Sequence, residues 1–362
     1  MDTALDLSSD LVSLTRAVCD LPSVSGDERA LADAIETALK QHAHLEVLRD
    51  GDAIVARTTL GRSSRVVVAG HIDTVPIADN LPTRLVGEGA QAELWGRGTV
   101  DMKAGVAVQL ALAAELSEPT RDVTWVFYDH EEVAAEHNGL GRIVREHPDW
   151  VAGDFAILGE PTNGGIEGGC NGTLRAEVRL TGVAAHSARA WMGVNAIHAA
   201  GEVLRRLEAY TPREIDVDGL VYRESLNAVL VSGGTAANII PDACVVTVNY
   251  RFAPSASVEE ASAHVRELFD GYDVVIVDAA PGARPGLDDP LAQEFAQAVL
   301  TITGGAPAAK YGWTDVARFS ELGVPAVNFG PGDPLLAHKD DERCVVGQIT
   351  VVHAALRDWL TA

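Results

Sequence analysis

Four predicted strand ends each deliver residues able to hold a cation or move a proton. Val66-Val67-Val68-Ala69-Gly70 leads into His71-Ile72-Asp73, and Gly96-Arg97-Gly98-Thr99-Val100 leads into Asp101-Met102-Lys103. The run 123–128 ends in Asp129-His130-Glu131-Glu132, and 154–159 ends in Glu160-Pro161-Thr162. In open α/β sheets ligands bind beyond the carboxyl ends of the strands, so residues at such strand ends can converge. Taken singly, each has a plainer reading. A histidine after a strand is most often a loop residue, Asp101 and Glu160 can each cap a helix, and Glu131-Glu132 can be a solvated pair. Taken together, imidazole plus carboxylate suits zinc, cobalt or manganese rather than an oxygen-only magnesium or calcium cage.

The elements that must position these groups read as two domains. The 362 residues exceed one ordinary domain of about 150 residues. Up to about residue 160, apolar strand runs alternate with helical stretches, including one near 102–116, which predicts an α/β sheet covered on both faces. Asp50-Gly51 between two β-rich runs reads as a hairpin, and a last helix is expected near 346–360. From Thr173 the pattern changes to strand 174–180, helix 194–207, strands 228–232 and 243–252, helix 258–269 and strand 273–277. That is the β-α-β-β-α-β order of a ferredoxin-like domain. The expected organisation is therefore a discontinuous α/β catalytic domain, 1–172 and 286–362, with an inserted α+β domain at 173–285.

Charge and composition remove several function classes. Lys and Arg number 28 against 52 Asp and Glu, a net charge of −24, which repels phosphate backbones and anionic lipid. No nucleic-acid partner and no membrane partner is expected, and no apolar run approaches the roughly 18 residues of a membrane span. The stretch Met1 to Asp20 carries acids and no basic, apolar leader pattern, and Cys19, Cys170, Cys244 and Cys344 show no paired spacing. Both features fit a cytoplasmic chain.

The ordered motifs Gly70-His71-Ile72-Asp73-Thr74-Val75-Pro76, Gly96-Arg97-Gly98 through Asp101-Met102-Lys103, Glu131-Glu132, Gly159-Glu160-Pro161-Thr162 and Gly330-Pro331-Gly332-Asp333 through His338 resemble the zinc-dependent aminoacylase and carboxypeptidase family. The resemblance covers nearly the whole chain. It implies two Zn²⁺ per subunit, with Co²⁺ as a possible substitute, bridged by Asp101. His71 and Glu160 would complete one site, Glu132 and His338 the other. Spacing alone does not choose His338 over His186 or His353.

The resemblance assigns the remaining roles. Asp73 would orient the His71 imidazole. Glu131 would be the general base that takes a proton from the activated water and returns it to the leaving amine. His186, in Gly182-Val183-Ala184-Ala185-His186-Ser187, would reach the active site of the partner in a homodimer and donate to the developing oxyanion. Asn238, Arg251 and Thr314 would bind substrate, with Arg251 gripping a carboxylate. A cis Asp101–Met102 peptide is also implied. Val133 and Trp313 depart from the family pattern and bear on the pocket's shape.

The implied activity is hydrolysis of a small N-acyl amino acid. Gly168-Gly169-Cys170-Asn171-Gly172-Thr173, Ala185-His186-Ser187-Ala188-Arg189 and Tyr311-Gly312-Trp313-Thr314-Asp315 are most similar to members that release succinate from N-succinyl-LL-2,6-diaminopimelate, a step toward lysine and cell-wall precursors. Removal of an acetyl group from acetylornithine, or exopeptidase action, is the alternative within the family. Outside it stand a catalytically silent binding protein, and a nucleophilic hydrolase acting through Cys170.

Overall fold

Hydrophobic runs of six or seven residues, apolar on both faces, are the signature of strands buried in the middle of a sheet. In the computed structural model, which describes residues 4–362, they occupy that place. The first three residues, part of the expected first domain and of the stretch expected to hold no leader, lie outside the described residues. Asp122–Tyr128, Arg65–His71, Phe155–Leu158 and Ala326–Asn328 are consecutive neighbours in an eight-stranded sheet and run parallel. Every residue of Asp122–Tyr128 and of Phe155–Leu158 is buried. The hairpin Glu46–Asp50 and Ala53–Arg57 extends one side of this sheet antiparallel. Asp50 pairs with Ala53, so the turn is Gly51-Asp52, with Gly51 at a left-handed φ of 59°.

The helix Lys103–Glu115 is buried from Lys103 through Ala113, and it packs against Arg65–His71 with the helices Leu11–Cys19 and Val346–Thr361. Its sequence is apolar all round because no face of it meets solvent. Phe155 and Phe295 each meet Trp359 edge to face within the same core, with Phe295 and Trp359 ring centroids 4.9 Å apart. Among the described residues, no helix is long and apolar enough to cross a membrane.

The chain divides into two compact units. The first holds residues up to Gly168, Pro285–Ala308 and Arg318–Ala362; the second holds Gly169–Arg284 and Ala309–Ala317. The second unit contains strand Gly172–Thr181, helix Ala196–Ala209, strands Ser225–Gly233 and Ala243–Phe252, helix Val258–Leu268 and strand Asp273–Ala280. In the sheet these strands, numbered first to fourth along the chain, lie in the antiparallel order second, third, first, fourth. That arrangement is ferredoxin-like.

Two local features differ from the sequence reading. Ala309–Ala317, expected in the catalytic portion, clusters with the second unit. There Asn171 Nδ2 donates to Tyr311 O at 3.2 Å, and the Trp313 indole donates to Pro281 O at 3.1 Å. A short hairpin, Glu214–Val217 with Leu220–Arg223, was not anticipated. Its turn is set by Asp218 and Gly219, both at positive φ.

Candidate metal centre

The four parallel strands of the first unit fix where most of the chemistry lies. His71 is the last residue of Arg65–His71, Glu131 and Glu132 follow Asp122–Tyr128, and Glu160 follows Phe155–Leu158. Asp101 does not come from a strand end of this sheet. The preceding strand, Glu93–Trp95, belongs to a separate three-stranded sheet with Arg84–Val86 and Arg343–Val345. A turn through Gly96 and Gly98, at φ 153° and 81°, carries the chain to Asp101 at the mouth of the buried helix. Asp101 is not a cap of that helix: Met102 holds the cap position and no side chain bonds there. The Asp101–Met102 peptide is cis.

The ligand atoms of His71, Asp101 and Glu160 lie within 4.8 Å of one another, and so do those of Asp101, Glu132 and His338. Asp101 is common to both groups, and its two oxygens face opposite ways. Oδ1 lies 3.1 Å from His71 Nε2, and Oδ2 lies 3.2 Å from His338 Nε2. His338 Nε2 is also 2.9 Å from Glu132 Oε1. One carboxylate between two sets of donors is the arrangement a bridging ligand needs. His353, which spacing could not separate from His338, lies on the last helix and pairs instead with Glu115, at the end of the buried helix, at 3.2 Å.

Asp73 organises the loop behind these groups. Its Oδ1 accepts the Glu131 N–H and its Oδ2 accepts the Glu132 N–H, both at 3.0 Å. The same Oδ2 accepts the Ser25 hydroxyl at 2.6 Å. The other nitrogen of His71, Nδ1, lies 3.1 Å from the Asp73 carbonyl and 3.4 Å from Oδ1. Asp73 thus orients an imidazole and the Glu131-Glu132 backbone at once.

The charge balance of the donor set shows what it suits. Burial opposes a charged His71, yet its contacts with Asp101 and Asp73 push it well above the ordinary histidine range. Contacts with Asp101 and Glu132 push His338 up to about 10. Burial raises Asp73, but the contacts with His71, the Ser25 hydroxyl and the Glu132 N–H together outweigh it and bring the carboxyl down to about 2. Both histidines are drawn into holding protons because carboxylates outnumber cations. A dication is a better partner for such a set. Imidazole with carboxylate oxygen fits zinc or cobalt, so the residues present suit the expected group.

Two glycines allow the approach. A Cβ on Gly105 of the buried helix would meet Gly159 O at 2.2 Å. One on Gly330 would meet Gly159 O at 2.2 Å and Glu160 O at 2.5 Å. Both contacts seat the backbone that presents Glu160.

The other expected site residues belong to the second unit. His186 and Asn238 are brought together there: His186 pairs with Ile239 in a short ladder, and the Asn238 carbonyl accepts the Ser187 N–H at 2.9 Å. His186 is exposed, and its Nδ1 accepts the Ala188 N–H at 3.0 Å. Arg251 is half-buried on its strand, where Nε donates to Asn249 Oδ1 at 3.1 Å and burial lowers its pKa. Thr314 is buried, and its carbonyl accepts the Cys170 thiol at 3.6 Å. Cys170 itself is fully buried and pushed up to about 11 by that burial, which removes the nucleophilic-cysteine alternative.

Sequence reasoning missed three supporting residues. Glu28 sits at the N-cap position of the helix Arg29–Leu39 but makes no side-chain cap bond; its Oε1 accepts the Gly26 N–H at 2.9 Å and the His130 N–H at 3.2 Å. Arg97 lies in the Gly96-Arg97-Gly98 turn, where the sequence gives it no role. Glu342 closes the acidic run Asp340-Asp341-Glu342, which looks solvated, yet Glu342 is buried. A charged residue between glycines was the available signal for Arg97; none pointed to Glu342.

Residues 67–362 match the family described as Peptidase family M20/M25/M40. The chain belongs to this peptidase family. It is a metal-dependent amide hydrolase. A Mycobacterium tuberculosis protein bearing the provisional name succinyl-diaminopimelate desuccinylase DapE is 56% identical over 98% of this chain and 99% of its own length. A Corynebacterium glutamicum protein named succinyl-diaminopimelate desuccinylase is 48% identical over 99% of this chain and 98% of its own. Among solved structures, the Bacillus subtilis YXEP protein, described as a dinuclear metal-binding peptidase of the M20 family, superposes with a TM-score of 0.71. It is 18% identical, with 97% of this chain and 96% of that chain covered, so it speaks for the fold.

Proposed function

We propose that this M20-family hydrolase releases succinate from N-succinyl-LL-2,6-diaminopimelate, leaving LL-2,6-diaminopimelate. The observation that carries the reading is near-full-length likeness, at 56% and 48% identity, to two proteins given that activity by name. The two donor groups sharing Asp101 support a two-zinc centre with cobalt as an alternative. Zinc held there supplies Lewis acidity toward an amide carbonyl and makes water a competent nucleophile near neutral pH.

The chain's own residues do the rest. Glu131, whose N–H is held by Asp73, takes the proton from the attacking water and returns it to the departing amine. Asp73 fixes which nitrogen of His71 faces the centre. Arg251 supplies a guanidinium for a substrate carboxylate, with Asn238 and Thr314 as further polar contacts. His186 donates a hydrogen bond to the developing oxyanion of a second copy's site.

Dimerisation is part of the same proposal. The strand Ser225–Gly233 lies at the edge of its sheet and exposes Val229, Leu230 and Val231. The neighbouring helix exposes Ile197 and Leu204. An open apolar edge of this kind invites pairing with a second chain. Mixing inactive His186→Ala and Glu131→Ala subunits tests it: activity returns if a site is shared between copies, and stays absent if each subunit is self-sufficient.

Product analysis tests the substrate. Zinc-loaded protein is offered N-succinyl-LL-diaminopimelate beside N-acetylornithine. Succinate release with little acetate release is expected, and preferential acetate release overturns the reading.

A further inference from the structure

We infer that the buried Arg97–Glu342 pair is a positioning clamp that sets the zinc affinity of the centre. It holds at one point the three backbone segments that carry His71, Asp101 and His338. The inference rests on the two-zinc reading above, and the experiment below separates the failure of one from the failure of the other.

Both side chains are withdrawn from solvent, Arg97 at 3% exposed and Glu342 at 1%. Arg97 Nε donates to Pro76 O at 3.0 Å, on the loop that follows His71 and Asp73. Arg97 Nη1 donates to Lys339 O at 3.0 Å, the residue directly after His338, and to Glu342 Oε2 at 2.8 Å. The other carboxylate oxygen, Glu342 Oε1, accepts the Val100 N–H at 2.9 Å and the Asp101 N–H at 3.2 Å. The guanidinium therefore grips two loops, and the carboxylate grips the third. Their mutual contact locks the three together.

A buried ion pair by itself adds little net stability, because desolvation offsets the attraction. The use of this one lies in what its remaining hydrogen-bonding capacity reaches. His338 needs such help more than the other ligands. It sits at a left-handed φ of 63°, and its side chain is 55% exposed, so little packing fixes it. His71, by contrast, is buried and separately oriented by Asp73. Glu132 and Glu160 are held by other means, the Asp73 carboxylate and the close approach of Gly330. Loosening the clamp should therefore weaken the Asp101–Glu132–His338 group more than the His71–Asp101–Glu160 group.

The test compares the full-length parent with Arg97→Lys and with the double variant Arg97→Met/Glu342→Leu. Each metal-free protein is titrated with zinc against a competing chelator, and thermal unfolding is followed without metal. An ammonium cannot reproduce the planar fork across two carbonyls and a carboxylate. Arg97→Lys is expected to weaken the second zinc by about 10–100-fold while the first stays close to parent. The double variant leaves no unpaired buried charge, but Pro76 O, Lys339 O and the Val100 and Asp101 N–H groups lose their partners, so its metal-free unfolding temperature should fall below the parent's. Its second zinc should stay weak, because the ties to Pro76, Lys339 and Asp101 are gone. Parent-like binding of both ions by Arg97→Lys overturns the clamp. So does a double variant that folds and binds both ions with the parent's affinity. A parent that binds fewer than two zinc ions overturns the two-zinc reading itself and the clamp with it. Should the double variant fail to fold, the Arg97→Lys titration decides alone.

Discussion

Replacing Asp73 by Asn changes one atom and forces a conflict the structure can quantify. Both carboxylate oxygens already accept a backbone donor, Oδ1 from Glu131 and Oδ2 from Glu132, each at 3.0 Å. An amide offers one acceptor and one donor. Turned one way, its NH₂ faces the Glu132 N–H and the Ser25 hydroxyl; turned the other, it faces the Glu131 N–H and His71 Nδ1. The first is milder, because a hydroxyl can rotate to accept. Even so, one buried N–H loses its acceptor, at a cost of about 1–3 kcal/mol. The loop relieves that cost by moving, and Glu131 moves with it. If the whole cost falls on the reacting geometry, kcat/KM drops by about five- to 150-fold. The assay measures kcat/KM at saturating zinc, with metal content and unfolding temperature recorded alongside. Asp73 is expected to act through orientation, so metal content at saturation should match the parent while turnover falls. A kcat/KM within about threefold of the parent, less than the 1 kcal/mol floor of that range, would refute the claim that both oxygens are needed. Because its folded pKa is held down near 2, the Asp73 carboxylate contributes fully above its unfolded value of 3.8. In the metal-free protein that contribution to stability is lost as pH falls from about 3.8 toward 2.

Three further outcomes follow from the same geometry. Glu131→Ala should leave zinc stoichiometry intact while kcat falls by about 10²–10⁴-fold, the usual contribution of a positioned base; loss of zinc from that variant contradicts the assignment. Gly330→Ala places a Cβ against Gly159 O and Glu160 O at 2.2 and 2.5 Å, so the Glu160 backbone must shift. Weaker zinc binding with an overpacking loss of about 1–3 kcal/mol in unfolding free energy is expected, and a neutral effect on both counts against that seat. Contacts with Asp101 and Glu132 push His338 up to about 10, so it is protonated at neutral pH without metal, whereas zinc takes the neutral imidazole. Zinc binding should therefore release protons and tighten as pH rises toward that value. Calorimetry in buffers of differing ionisation heat reads the release directly, and a buffer-independent heat argues against it.

Much of the centre was legible in the sequence, and the reason is topological. Strands buried on both faces announce themselves as apolar runs, and their carboxyl ends are where ligands gather. His71, Glu131, Glu132 and Glu160 could be singled out on that ground. Asp101 was found by motif, but its setting was misread: it reaches the centre from a glycine turn off a different sheet. His338 had no local signal, because it follows a short 3₁₀ turn, Pro334–Leu336, rather than a strand. The ferredoxin-like order of the second unit was readable because its helices and strands alternate in length and period. The hairpin Glu214–Val217 with Leu220–Arg223 was not, since two four-residue strands give no period to detect. Glu28, Arg97 and Glu342 stayed hidden for a common reason. Each is a charged residue buried against backbone groups distant in sequence, and charge in a polar context reads as solvent exposure.

The most direct test of the two-metal hydrolase is a titration of metal-free protein with zinc in the presence of N-succinyl-LL-diaminopimelate, following succinate release at each addition. The two donor groups sharing Asp101 predict that turnover rises until two equivalents per chain are bound and then levels off. Full turnover by protein stripped of metal, or a plateau at one equivalent, would contradict the account.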